Sequence, residues 1–182
     1  IERALYNTVL SGMAQDGKSF FYVNPLEVLP EASHKDSRKR HIKPVRQKWF
    51  SCACCPPNLV RLISSFGEYC FTENHACVYI HQYIGADIKA ENAQISISSN
   101  YITDGRVKIN ISPKSRIRLA LRIPDWTDKH RISVPAEIID GYAYINVDKD
   151  MEIIAEFELK PRLVKCSNRV RANVGRAAVM RG

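Results

Sequence analysis

Hydrophobic residues follow two different periods along this chain. Near the start they recur every fourth position, which predicts a helix over residues 1–16 with one apolar face. The positions are Ile1, Leu5, Val9 and Met13. A second helix is predicted from Pro56 to about Phe71, because proline is pre-set for a first helical turn and apolar residues then recur at helical spacing.

After the second helix the pattern changes to period two. Apolar residues alternate with polar ones in stretches that polar turns separate, and no helical pattern interrupts them. The stretches are centred on Val78–Ile84, Ile95–Ile97, Val107–Ile111, Ile117–Ile123, Ala143–Val147 and Ile153–Leu159. Such alternation predicts half-buried antiparallel sheets, most simply a β-sandwich, and argues against a parallel βαβ arrangement. We place the boundary between the two regions at residues 73/74.

Composition and charge narrow the class of protein. The chain has 182 residues, is 45% hydrophobic and 25% charged, and carries a formal net charge of +8, values that suit a globular protein of one or two domains. Residues 34–43 hold much of the positive charge. Because no aromatic stacking platform or reader motif accompanies them, we interpret them as a solvated loop and expect no nucleic-acid partner.

Targeting and redox signals are sparse. No apolar run is long enough to cross a bilayer, so no membrane partner is expected, and no secretory signal is visible. Three of the six cysteines fall within four positions, which is unlike a spaced disulfide framework. A reducing, cytoplasmic location is therefore the expectation.

The cysteine cluster lies in the segment Trp49-Phe50-Ser51-Cys52-Ala53-Cys54-Cys55-Pro56-Pro57-Asn58. Adjacent thiols do not easily form a disulfide with each other, because successive side chains diverge. They are better placed to hold one metal ion or to present a reactive thiolate beside a metal-bound one. The alternative is that they are small buried hydrophobic residues.

Four blocks of sequence resemble glycoside hydrolase family 127, whose founding members are β-L-arabinofuranosidases. They are residues 2–7 (ERALYN), 20–27 (FFYVNPLE), 49–58 (WFSCACCPPN) with Arg61, and 171–182. The resemblance implies an α+β fragment: the last helices of an (α/α)6 catalytic barrel over residues 1–73, followed by an antiparallel β-sandwich domain over residues 74–182.

The same resemblance implies the chemistry. Family members are retaining glycosidases in which a cysteine attacks the anomeric carbon while zinc holds a group of cysteines and one glutamate. By position, Cys54 is the nucleophile and also lies at the metal, and Cys55 is a zinc ligand. The family's remaining ligands, a Glu-x-Cys pair, and its general acid lie upstream, and no cysteine precedes Cys52 here. We therefore expect an incomplete zinc site and an inactive fragment, which lacks its N-terminal catalytic half.

Other residues near the cluster are candidates for contact with a carbohydrate substrate. Tyr22, Asn24 and Trp49 are the ones we select, with packing as the alternative for the two aromatic rings and turn capping for Asn24. No carboxylate in this part has an activating context, so the glutamates are expected to be structural or solvated. They are Glu27, Glu31 and Glu68. The cysteines outside the cluster are expected to be core or edge thiols. They are Cys70, Cys77 and Cys166.

Two alternatives to a hydrolase fragment remain. The first is a non-catalytic carbohydrate-binding or scaffold sandwich, with Trp126 and Tyr101 as candidate platforms. The second is a small zinc- or nucleic-acid-binding protein, which lacks a second Cys/His pair at finger-like spacing. In the fragment interpretation, the remnant of the barrel exposes apolar surface, which would favour a homo-oligomer.

Overall fold

The computed structural model describes residues 1–24, 29–52 and 54–182. The chain divides into two compact units, Ile1–Phe66 and Gly67–Gly182. The predicted boundary at residues 73/74 falls inside the first strand of the second unit. No helix in the described part of the chain is long and apolar enough to cross a membrane.

The first unit contains short helical segments. A π-helical turn (Ala4–Val9) continues into a 3₁₀ turn (Leu10–Gly12). The predicted helix over residues 1–16 is therefore wrong beyond Gly12. Met13 is extended and forms a bridge with Phe20, because the backbone hydrogen bond from Ala14 to Ser19 turns the chain back on itself. Apolar spacing alone does not reveal that turn.

Two α-helices follow, α1 (Pro30–Lys35) and α2 (Cys55–Ser65). Helix α1 includes the first two residues of the basic run, and the solvated loop is confirmed only from Asp36 onward. Helix α2 has proline in its first turn, as predicted, and begins at Cys55. It ends earlier than predicted, since a 3₁₀ turn (Phe66–Tyr69) and then a strand follow it.

The second unit is built from twelve strands. The first sheet has the order β1-β2-β6-β9-β8. These strands are β1 (Phe71–Asn74), β2 (Cys77–Ile80), β6 (Ile117–Arg122), β8 (Glu137–Ile139) and β9 (Tyr142–Val147). The second sheet has the order β3-β4-β5-β10-β7. These strands are β3 (Ala86–Lys89), β4 (Ala93–Asn100), β5 (Arg106–Pro113), β7 (His130–Ile132) and β10 (Met151–Phe157). A separate pair joins β11 (Pro161–Val164) to β12 (Ala178–Arg181).

The sheets are antiparallel apart from one pair. Strands β2 and β6 run parallel, with Cys77 opposite Arg118 and Ile80 opposite Leu121. The expectation of a purely antiparallel sandwich is wrong at this pair. After β2 the chain crosses to the other sheet, forms β3, β4 and β5 there, and returns beside β2 in the same direction.

Each five-stranded sheet buries one face. Strands β4 and β5 alternate buried and exposed residues along their length, and β9 and β10 bury every second residue. This period-two burial is what the sequence pattern predicts, and it is typical of two sheets that share an apolar core. Aromatic side chains extend that core. The ring centroids of Tyr83 and Phe157 are 5.1 Å apart, and those of Tyr101 and Trp126 are 5.6 Å apart.

The same core corrects one functional candidate. Trp126 is 8% exposed and Tyr101 is 3% exposed. The hypothesis that these two rings form a carbohydrate platform is therefore wrong, since their faces are covered by the sandwich's own aromatic residues.

Candidate functional site

Three sulfur atoms and one phenol meet at the start of helix α2. Cys54 Sγ lies 3.6 Å from Cys52 Sγ, 3.8 Å from Cys55 Sγ and 3.5 Å from the Tyr22 hydroxyl. The Cys55 thiol also donates to the Tyr22 backbone carbonyl at 3.8 Å. Tyr22 is thirty-two positions before Cys54, so the fold joins two of the sequence blocks at one thiol.

The start of the helix fixes the position of Cys54. The Asn58 side-chain amide donates to the Cys54 backbone carbonyl at 2.8 Å, and the Arg61 guanidinium donates to the side-chain oxygen Oδ1 of Asn58 at 2.9 Å. Cys54 is the N-cap residue of α2, which places its thiol by the helix end where backbone N–H groups are unpaired. The helix macrodipole favours negative charge there, and therefore favours a thiolate.

Two neighbouring rings hold Tyr22. Its ring lies 5.6 Å from that of Phe50 and meets the His41 ring edge-on at 6.4 Å. Phe50 in turn packs on Phe20 at 5.2 Å. Phe50 is part of the cysteine segment, so its proximity to the thiols could have been inferred from sequence. His41 lies in the basic run, and no sequence signal connects it to the cysteines.

The hydrogen bonds shift the acidities of these groups in opposite directions. The Tyr22 hydroxyl, followed by the Cys52 and Cys55 thiols, lowers the pKa of Cys54. The same contact with Cys54 raises the pKa of Tyr22. Burial raises the pKa of Cys55, and the neighbouring Cys54 adds to that effect. Tyr22 therefore stays a phenol that can donate to Cys54 once that residue loses its proton, so Cys54 is the thiol best suited to act as a nucleophile.

The cysteines fit part of a zinc site. The 3.8 Å between Cys54 Sγ and Cys55 Sγ matches the sulfur–sulfur separation of about 3.8 Å expected when two thiolates bind one tetrahedral zinc at about 2.3 Å. Among the residues that the structure describes, no group of three or more His, Cys, Asp or Glu side chains is arranged to hold a metal ion. The spacing of these two sulfur atoms thus suits zinc.

The other two candidates for substrate contact have different surroundings. Asn24 donates its side-chain amide to the Thr8 carbonyl at 2.8 Å, which ties this segment to the N-terminal helical turn. Trp49 is 63% exposed, so its indole is not packed away as the alternative role required. Five residues were predicted for the site, and the structure brings three of them together: Cys54, Cys55 and Tyr22.

The carboxylates that we considered as acids have ordinary surroundings where the structure describes them. Glu31 pairs with Lys35 at 3.0 Å on the exposed side of α1, and Glu68 is exposed. Glu27 lies outside the described residues.

The cysteines beyond the cluster do not resemble ligands. Cys70 and Cys77 are 7% and 5% exposed, and burial raises the pKa of each thiol. Cys166 is an exposed free thiol. The chain has one Glu-x-Cys sequence, Glu68-Tyr69-Cys70, but it follows the cluster and its thiol is buried.

Comparison with known proteins gives one consistent family. Residues 1–68 match the β-L-arabinofuranosidase family 127 catalytic domain, and residues 77–159 match the family 127 middle domain. A non-reducing end β-L-arabinofuranosidase from Bifidobacterium longum subsp. longum is 35% identical over 198 residues. That match covers 100% of this chain and 30% of the relative, so the chain spans less than a third of the relative's length.

Solved structures agree. A family 127 β-L-arabinofuranosidase from Geobacillus stearothermophilus T6 superposes with a TM-score of 0.86 at 45% identity, covering 100% of this chain and 31% of that one. A second family 127 β-arabinofuranosidase gives a TM-score of 0.77 at 30% identity, with 100% and 31% coverage. The chain therefore belongs to glycoside hydrolase family 127, and it carries sequence of both the catalytic and the middle domain.

Proposed function

We propose that this chain is part of a retaining glycoside hydrolase that releases terminal β-L-arabinofuranose, or a closely related sugar, with Cys54 as the nucleophile. One observation carries the proposal: Cys54 is the N-cap residue of helix α2, and the Tyr22 hydroxyl lies 3.5 Å from its sulfur. The names of the similar proteins supply the sugar. We further propose that residues 1–73 complete an (α/α)6 barrel.

The chemistry has two displacements at the anomeric carbon. In the first, Cys54 Sγ forms a bond to that carbon as the glycosidic C–O bond breaks, and a general acid gives its proton to the departing oxygen. In the second, water attacks the same carbon, the C–S bond breaks and the water's proton passes to the conjugate base of that acid. Two inversions leave the configuration retained, with a thiolate in place of the usual second carboxylate.

Within the chain, each nearby residue has a defined part. The Tyr22 phenol donates to the Cys54 thiolate before attack and again as the thiolate leaves. Asn58 holds the Cys54 carbonyl and thereby the position of the sulfur. Cys54 and Cys55 would be the residues that hold zinc. Zinc, when bound, keeps its cysteine ligands deprotonated near neutral pH.

We also propose that the chain is inactive by itself. The general acid and the other metal ligands are assigned to family sequence that precedes the matched segment. The first unit supports this proposal, because its only buried hydrophobic residues among those described are Leu5 and Phe66. None of the residues in α2 is buried, although the helix has an apolar side. A sugar pocket needs walls that this unit does not supply.

The test uses a polypeptide in which this chain is preceded by the family 127 catalytic-domain sequence that normally lies upstream of the matched segment, so that Cys54 is the single candidate nucleophile. Cys54→Ser should lower the release of p-nitrophenol from p-nitrophenyl β-L-arabinofuranoside by at least about 10³-fold, as for loss of other enzymatic nucleophiles. Cys166→Ser removes an exposed thiol outside the cluster and should leave the rate unchanged. Activity retained in Cys54→Ser would refute the nucleophile, and hydrolysis by residues 1–182 alone would refute the proposed inactivity.

A further inference from the structure

The outward side of the first sheet carries a cluster of aromatic rings. Tyr79 on β2 is opposite Ala120 on β6, and Ala120 is opposite Tyr144 on β9, so the three residues lie in one row on one face. Tyr142 lies two residues before Tyr144, and His81 two residues after Tyr79, which places both on the same side. We call Tyr79, His81, Tyr142 and Tyr144 the tyrosine face. All four are half-buried.

The four rings contact one another in stacked, edge-on and tilted arrangements. Tyr79 stacks on His81, with centroids 6.3 Å apart and an interplanar angle of 14°. Tyr142 and Tyr144 lie edge-on to Tyr79, at 5.9 and 6.2 Å. Between the strands, Ala120 is 0% exposed, so the rings cover the only small side chain in the row. The surface at the centre of this face is therefore aromatic, because the aliphatic side chain there, that of Ala120, is fully buried.

Polar groups are interleaved with the rings. The Tyr142 hydroxyl lies 2.8 Å from His81 Nδ1, and the Thr72 hydroxyl lies 2.8 Å from His81 Nε2. The guanidinium of Arg118 lies 4.4 Å from the centre of the Tyr144 ring and pairs with Glu137 at 3.1 Å. Arg122, opposite Tyr142 on the same face, donates its Nε–H to the His81 backbone carbonyl at 2.6 Å, so both guanidinium groups of the face have partners.

From this arrangement we infer that the tyrosine face is a binding surface for a neutral polysaccharide chain. Sugar rings present C–H patches that pack on aromatic faces, together with hydroxyl groups that need hydrogen-bond partners, and this face supplies both within one strand row. The surface lies in the middle-domain match, and the inference goes beyond the proposed hydrolase activity.

A neutral glycan fits the face better than two other occupants. A nucleic acid or acidic polysaccharide would require unpaired positive charge. On this face Arg118 pairs with Glu137, and Arg122 donates to the His81 carbonyl. A protein partner would be expected to insert large anchors into well-packed pockets. Here the outward centre is filled by mutual ring contacts and the covered methyl group of Ala120, which leaves a surface suited to shallow stacking.

Affinity electrophoresis of the full chain tests the inference. The chain should be retarded in gels that contain arabinan or xylan, compared with gels that contain no polysaccharide. Tyr144→Ala should weaken retardation about tenfold in apparent dissociation constant, the size expected for loss of an aromatic contact. Tyr144→Phe keeps the ring and should retain most of the binding. Tyr69→Ala removes an exposed tyrosine outside the face and should behave as the unsubstituted chain.

The variants are first checked for native strand content by circular dichroism. If Tyr144→Ala does not fold, Tyr144→Thr replaces it, because threonine suits a strand and lacks a ring. The inference is overturned if neither neutral polysaccharide retards the chain, if only polygalacturonate does so, or if Tyr144→Ala and Tyr69→Ala bind equally well. A dimer in sedimentation that Tyr144→Ala dissociates would also overturn it, since the face would then be a protein interface.

Discussion

At the scale of single residues, two glycines with positive φ have different surroundings. Gly105 has a φ of +77°, and a Cβ there would lie 2.0 Å from the Phe157 carbonyl oxygen. Phe157 also donates its backbone N–H to the Gly105 carbonyl at 3.0 Å. Gly141 has a φ of +78° and nothing within 4 Å of its Cβ position. Replacing each glycine by alanine therefore distinguishes two costs in the free energy of unfolding. Both variants carry the strain of a positive φ, and only the one at position 105 adds a steric clash.

We predict that Gly105→Ala destabilises the second unit by at least about 3 kcal/mol, because left-handed strain adds to the displacement of a paired backbone. Gly141→Ala should cost about 1 kcal/mol, since only the conformation of the turn is affected. Urea unfolding followed by circular dichroism measures both values. Equal losses in the two variants would show that the Phe157 backbone moves away at little cost.

The sequence singled out the residues of the thiol cluster better than the residues that pack around them. Cys54 and Cys55 were selected because adjacent cysteines before a helix start are rare, and the family resemblance supplied the role of each. Tyr22 was found through its sequence block. The contact between Tyr22 and His41 could not be predicted, because it depends on how the basic segment folds across residues 20–22. Trp49 and Asn24 were selected by proximity in sequence, which does not report where a side chain points.

At the scale of elements, His81 connects three strands of the first sheet. It follows β2, and its two ring nitrogens contact Thr72 on β1 and Tyr142 on β9. Tyr79 stacks on one side of the ring. Burial, and then the nearby Arg122 guanidinium, lower the pKa of His81 below its usual value. The neutral ring is therefore the form that the folded sheet favours.

This shift predicts a loss of stability in mild acid. As the pH falls below about 6.5, the ordinary pKa of histidine, the unfolded chain gains a proton on His81 before the folded chain does. The free energy of unfolding should therefore decrease until the lowered folded pKa is passed. His81→Gln should flatten the part of the slope between pH 7 and 5 that His81 causes, in urea titrations at several pH values. The other histidines are common to both proteins, so an unchanged slope would contradict the assignment.

The alternation of apolar and polar residues in the sequence predicted the positions of the long strands well. The alternations at residues 107–111 and 143–147 became β5 and β9, with the predicted apolar positions buried. Strands β7 and β8 have three residues each, too few for alternation to be visible. The parallel pairing of β2 with β6 was missed for another reason: it is a property of the crossover between sheets, and a residue pattern within one strand carries no direction.

At the scale of the whole molecule, the two units differ in how much apolar surface they bury. The second unit contains fully buried residues from both five-stranded sheets, including Ile80, Ile109 and Leu119. In the first unit, Leu5 and Phe66 are the buried hydrophobic residues among those described. Since burial of apolar surface is the main source of stability, the second unit should be far more stable than the first.

Hydrogen exchange of the full chain, followed by mass spectrometry of its peptides, tests this difference. Amides in β4, β5 and β10 should exchange only through opening of the sandwich, and so orders of magnitude more slowly than in a denatured control. Amides of α2 should exchange nearly as fast as in that control, because the helix has eleven residues, none of them buried, and short helices are marginal in water. Adding the rest of a family 127 catalytic domain should slow exchange in α2 while leaving β4 and β5 unchanged. Slow exchange in α2 of the chain alone would show that residues 1–66 form a stable unit without further barrel, and it would remove one support for the proposed inactivity.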